Sequence, residues 1–151
     1  MDVQPTVTTT LEAGSPVRSQ ARHHAWSADE PESLGGQDQG PSPYELLLGS
    51  LSACTALTLR IYAEHKGFSL ESVDVESTFA RERGSDCAEC DDDSDALHAV
   101  IRTRVVIRGE LDDAQRQRLT EVASRCPVHR TLEGGPVMVE TVVFEPARAR
   151  A

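Results

Sequence analysis

Apolar residues recur at every second position in three stretches of the chain: Val73, Val75, Ser77 and Phe79; then Ala99, Ile101, Thr103, Val105 and Ile107; then Val137, Val139, Thr141 and Val143. A period of two turns alternate side chains to one face, so the pattern predicts three half-buried strands. Arg102, Arg104 and Arg108 fall on the other, solvent-facing side of the middle one. Nearer the start, Thr- and Val-bearing stretches over residues 3–26 are interrupted at Gly14-Ser15-Pro16, which reads as a β-hairpin. Residues 27–43 then crowd Asp29, Glu30, Pro31, Gly35, Gly36, Gly40, Pro41 and Pro43 into one connector. Such a density of structure-breaking residues predicts a loop.

A different pattern follows. Ser42 is suited to an N-cap, Pro43 to the first helical turn and Gly67 to the stop, which predicts a helix from Pro43 to His65. Its apolar positions, among them Leu46, Leu47, Leu48, Leu51, Ala53, Cys54, Leu57, Leu59, Ile61 and Tyr62, run nearly all the way round. A helix apolar on every side must be buried on every side, more than one small domain supplies. The expectation is a homodimer with this helix at its centre. Asp112 or Asp113 can cap a second helix through about Arg125, with Leu119, Val122 and Ala123 on one side, and another helical turn can begin at Pro127. The expected order is ββ-α-ββ-α-β, an α+β fold.

Composition narrows the class. A chain of 151 residues suits one domain spanning 1–151. Fifteen Lys and Arg against 25 Asp and Glu leave a net charge of −10, which argues against a nucleic-acid partner, whose phosphates demand a basic surface. With 38% hydrophobic and 26% charged residues the chain is too polar for a membrane protein, and no membrane-spanning helix or membrane partner is expected. Met1-Asp2-Val3-Gln4-Pro5 lacks the basic and apolar regions of an export signal, so the expected location is the cytoplasm. Cysteines in that compartment are reduced thiols, redox-active thiols or metal ligands rather than a disulfide framework.

Four cysteines carry the candidate chemistry. Cys54 shares a helical face with Leu47, Leu51, Thr58 and Ile61; it is either inert packing or a thiol that needs a donor nearby to ionise. Cys126 would sit at the N-terminal edge of a helical turn opened by Pro127, where unsatisfied amides favour a thiolate, with His129 and Arg130 following. Packing and reactivity are both open for it. Cys87 and Cys90 form a C-x-x-C pair in an acidic loop with Asp86, Glu89, Asp91, Asp92 and Asp93, suited to a metal, to a small redox disulfide, or to neither; with His98 as the remaining local ligand, a zinc site is incomplete. His23 and His24, in an expected strand just before the connector, are either a surface pair or neighbours of a site. Neither the G-x-x-x-x-G-K-[ST] phosphate loop nor a Gly-x-Ser-x-Gly nucleophile turn occurs.

Gly35-Gly36-Gln37-Asp38-Gln39-Gly40-Pro41-Ser42-Pro43-Tyr44-Glu45-Leu46-Leu47-Leu48, then Leu51-Ser52-Ala53-Cys54-Thr55-Ala56 and later Cys126-Pro127-Val128-His129, strongly resembles the OsmC/Ohr family. The resemblance implies an OsmC-like fold: an intertwined homodimer of α+β subunits around long buried central helices. It implies a thiol peroxidase for organic hydroperoxides in oxidative or osmotic stress defence, with Cys54 peroxidatic and Cys126 resolving. No bound cofactor is implied; the reductant would be an external dithiol such as dihydrolipoamide. In this family an arginine and a glutamate hold the peroxidatic thiolate, the glutamate directly after the proline that opens the helix. Here Tyr44 follows Pro43, Glu45 comes one position later, and Leu34 stands where one branch has its arginine. Arg22 or Arg130 could take the arginine's place in space. The rival expectation is a non-catalytic family member that binds an apolar ligand in a pocket at the dimer interface.

Overall fold

The structure is a computed structural model that describes residues 4–14, 16–90 and 95–144. Three strands come first, β1 (Thr8–Thr10), β2 (Val17–Ala21) and β3 (His24–Ala28), joined as an antiparallel sheet in the order β1-β2-β3. The expected hairpin is therefore a three-stranded meander. Its second turn is made by Arg22 and His23 between the paired residues Ala21 and His24, with Arg22 at φ 55° in the left-handed region. That turn carries no Gly, Asn or Asp, the residues that usually announce a positive φ, so its sequence gives no signal. Ser15 of the first expected turn lies outside the described residues.

The connector is drawn together by Asp29. Its carboxylate accepts N–H groups from Gln37, Gln39 and Glu30, and those of Gln39 and Gln37 hold the carboxyl below the usual carboxylate range. The loop folds tightly enough that a Cβ on Gly36 would lie 1.8 Å from the Glu30 carbonyl oxygen, and one on Gly40 2.6 Å from that of Ser27. This is the physical use of the glycines in the Gly-Gly-Gln-Asp-Gln-Gly run: other residues do not fit where backbone meets backbone.

Helix α1 (Pro43–Lys66) matches its expected bounds to one residue. Ser42 and Glu45 form a reciprocal capping box, Pro43 occupies the first turn, and Gly67 at φ 68° ends the helix. Two long strands, β4 (Ser69–Arg83) and β5 (Leu97–Glu110), pair antiparallel as a separate ribbon. Arg102 and Arg108 lie on its exposed side, Arg102 holding Glu82 and Glu89, and Arg108 holding Asp74. Helix α2 (Asp113–Ala123) is capped by Asp112, and α3 (Pro127–Gly134) begins three residues after the C-cap of α2 at Ser124. Leu59 of α1 and Leu119 and Val122 of α2 form the core, packed against Tyr62, Phe68, Val73, Val105 and Ile107. Full burial of each leucine contributes about 1.5–3 kcal/mol.

Two expectations change in detail. Residues 137–143 form no strand: Val137, Val139 and Val143 are exposed along an unpaired segment. Their alternation suits a sheet edge, and within one chain no edge pairs with them. Helix α1 is likewise buried on one stripe only, Leu51, Thr55, Leu59 and Ala63, while Leu57 and Ile61 are 47% and 59% exposed. One chain covers one side of this helix, with β4, α2 and α3. Among the described residues α1 is the one helix long and apolar enough, by length and composition, to cross a membrane; its central stripe instead lies on the core.

Candidate active site

Helices α1 and α3 bring the two distant cysteines together. Cys126 is the N-cap of α3, a position usually filled by Ser, Thr, Asp or Asn, and it is completely buried. Its sulfur accepts the backbone N–H of His129 at 3.3 Å and the hydroxyl of Thr55, one residue after Cys54, at 3.6 Å. Proline at the first helical position supplies no N–H, so the free amides of this turn belong to Val128 and His129. The Val128 amide, the Cys126 thiol and the Thr58 hydroxyl are the neighbouring polar groups that act on the Cys54 thiol. Both cysteines are free thiols, Cys126 buried and Cys54 partly exposed.

Opposing forces act on Cys54. Burial pushes its thiol above the usual range, and the neighbouring Cys126 thiol pushes in the same direction; the Val128 amide and Thr58 hydroxyl pull it down. The net direction is upward. None of the groups acting on it in the described chain is an arginine or a carboxylate.

The remaining expected site residues are placed elsewhere. Glu45 is engaged in the capping box, its carboxylate accepting the Ser42 backbone N–H at 2.7 Å, and that bond holds its carboxyl below the usual range. Nine residues separate it from Cys54, about 13 Å along a helix rising 1.5 Å per residue. Tyr44 stacks on Phe79 of β4 with ring centroids 4.3 Å apart. Arg22 is exposed at the β2–β3 turn and Arg130 is exposed on α3, its backbone N–H donating to the Cys126 carbonyl. Leu34 is 72% exposed in a short helical turn. His129 is half-buried and contributes its backbone to Cys126 and its side chain to a groove of about 260 Å³ with Leu51, Thr55, Ile101, Thr103 and Val105.

Cys87 and Cys90 form a disulfide, with Cα atoms 5.3 Å apart. Arg102 reaches from β5 to Glu89 between them, which ties the loop to the ribbon. Among the described residues no group of three His, Cys, Asp or Glu is placed to hold a metal ion. Asp91, Asp92 and Asp93, expected to attract a cation, lie outside the described residues.

Sequence reading missed Thr55 and Asp29 as organisers and named Thr58 only as a neighbour on the Cys54 face. For Thr55 no local signal existed: it lies about 100° round the helix from Cys54, and its partner is 71 residues away.

Residues 36–141, from the glycine loop through α3 and beyond, match the family model described as OsmC-like protein. The chain belongs to the OsmC family. Solved structures similar to this OsmC-family chain include an OsmC-like protein from Mycoplasma pneumoniae, at 23% identity and TM-score 0.69, covering 89% of this chain and 91% of that one. Another is an organic hydroperoxide resistance protein OsmC from Legionella pneumophila, at 18% identity and TM-score 0.63, covering 89% and 92%. A third is the organic hydroperoxide resistance protein OhrB of Bacillus subtilis, at 17% and 0.57, covering 88% and 93%. At these identities the likeness carries the OsmC fold. No curated protein matches the chain by sequence.

Proposed function

We propose that this OsmC-family protein is a cytoplasmic thiol peroxidase that reduces organic hydroperoxides in stress defence, with Cys54 peroxidatic and Cys126 resolving. The observation that carries this reading is that the residue next to Cys54, Thr55, bonds the sulfur of Cys126, which brings the two free thiols together from α1 and the start of α3. Cys54 is the sulfur that solvent can reach, so its thiolate attacks the peroxide oxygen; the O–O bond breaks, alcohol departs and Cys54 becomes a sulfenic acid. The Cys126 thiolate then attacks the sulfenic sulfur, the S–O bond breaks, and hydroxide leaves as water once protonated. A dithiol such as dihydrolipoamide restores both thiols. Leu51 and Ile101 line a groove with Thr55 and His129, the two residues that bond the Cys126 sulfur, and would favour an alkyl or lipid chain over hydrogen peroxide. The names of the Legionella and Bacillus neighbours, hydroperoxide resistance proteins, support the substrate class.

The working form in this reading is a homodimer. Leu57 and Ile61 on the open face of α1, and Val137, Val139, Val143 and Phe144 on the unpaired segment, are apolar surfaces that a second copy would bury. The decisive assay follows loss of cumene hydroperoxide with dihydrolipoamide as reductant. Turnover that disappears in Cys54→Ser supports the reading; undiminished turnover in that variant sinks it.

One observation favours a second reading, a non-catalytic protein that binds an apolar ligand: the Cys54 thiol is pushed up and has no arginine on it in the described chain. Native mass spectrometry showing a co-purified acyl or aromatic ligand, with slow alkylation of Cys54, would support that reading.

A further inference from the structure

Threonine hydroxyls inside helices ordinarily donate to the carbonyl four residues back, and here Thr120 bonds Arg116 and Thr131 bonds Pro127 in that way, each at 3.0 Å. Thr55 departs from the pattern. It is 2% exposed in the middle of α1, and its hydroxyl donates to the Cys126 sulfur. A buried hydroxyl must find a partner or cost about 1–3 kcal/mol, and this one has a sulfur 71 residues away in sequence. The Cys126 sulfur also receives the His129 amide at 3.3 Å, so it has one backbone donor from α3 and one hydroxyl from α1.

We propose that Thr55 is a positioning residue of the two-thiol couple, its hydroxyl holding the Cys126 sulfur as the thiolate that attacks and leaves. The proposal rests on the Cys54–Cys126 reading above. Because Cys126 is wholly buried and Cys54 is not, an external dithiol attacks the Cys54 sulfur of the disulfide. A bond forms between the dithiol and Cys54, the Cys54–Cys126 bond breaks, and the electron pair leaves on Cys126, where Thr55 and the His129 amide receive it. The second thiol of the reductant then displaces Cys54, so the dithiol is oxidised by two electrons and the protein disulfide reduced.

The test uses no peroxide. Protein is oxidised with diamide to form the Cys54–Cys126 disulfide, and its reduction by dithiothreitol is followed against pH in a Cys87→Ser/Cys90→Ser background. Thr55→Val, close in shape but without the hydroxyl, is expected to slow reduction roughly tenfold, the size of one hydrogen bond to a charged group, whereas Thr55→Ser stays within about twofold. Quenched mixed disulfide is expected on Cys54. Equal rates in Thr55→Val and the parent overturn the Thr55 role whatever becomes of the peroxidase reading. So does an equal loss in Thr55→Ser, which assigns the effect to packing.

Discussion

The hydroxyl of Thr55 on α1 donates to the sulfur of Cys126, the N-cap of α3, at 3.6 Å. This links the two helices through one sulfur of the proposed couple. The other sulfur, Cys54, stands under competing influences, with burial outweighing the donors near it.

The pH dependence follows from that balance. With its folded pKa raised, Cys54 reaches its thiolate only at higher pH than an ordinary cysteine. Alkylation of Cys54 by iodoacetamide, read by mass spectrometry, is expected to accelerate with pH to a midpoint above that of a free cysteine in the same buffer. Stability moves the other way. The unfolded chain ionises this thiol first as pH rises, so the folded state loses stability between the unfolded and folded values. A midpoint below the free-cysteine value would show that a cation absent from the described site reaches Cys54.

Division of labour between the thiols predicts distinct variants. Cys54→Ser is expected to lower hydroperoxide consumption by at least about a hundredfold, since the nucleophile is removed. Cys126→Ser is expected to retain one turnover and to accumulate a sulfenic acid that dimedone traps on Cys54. Intact mass after one equivalent of hydroperoxide distinguishes these outcomes.

Glu45 is expected to act on helix α1 rather than on the thiol. Ser42→Ala removes one half of the capping box and should cost about 1 kcal/mol in urea unfolding. Glu45→Gln preserves an acceptor for the Ser42 amide and should leave the Cys54 alkylation rate unchanged. A large fall in that rate would place the carboxylate at the thiol after all.

Close backbone approach makes Gly36 intolerant of a side chain. Gly36→Ala forces its Cβ against the Glu30 carbonyl and is expected to destabilise the chain on the order of 1–3 kcal/mol. Gly49→Ala meets nothing within 4 Å inside one chain, so there it should be neutral or stabilising by up to about 1 kcal/mol. Urea unfolding at low and high protein concentration separates these effects from any crowding at a dimer contact.

Self-association is tested at the exposed alternating segment. Val139→Arg together with Val143→Arg leaves the described core untouched and is expected to shift the protein from dimer to monomer by light scattering. A monomeric parent protein would sink the homodimer instead.

Several elements were legible because their signals are local. Ser42, Pro43 and Gly67 mark both ends of α1 through effects that span four residues or fewer, and Asp112 marks the start of α2 in the same way. The β2–β3 turn was not legible, because Arg22 adopts a positive φ with neighbours that pairing, rather than turn chemistry, holds in place. The C-x-x-C pair left metal and disulfide open, since spacing permits both; the fold brings Cys87 and Cys90 into a bond. For residues 137–143 alternation predicted a strand, but a strand needs an edge to pair with, and among the described residues neither sheet takes this segment.

From the sequence alone came the family signature, the α+β pattern, the bounds of α1 and the two cysteines of the candidate site. Only the tertiary structure decided what surrounds them: that the His129 amide and the Thr55 hydroxyl reach the Cys126 sulfur, that burial raises the Cys54 thiol, and that Glu45 caps a helix. The reason is range. Capping and periodicity act between near neighbours in the chain, whereas the state of a thiol depends on burial and on donors that folding brings from 71 residues away.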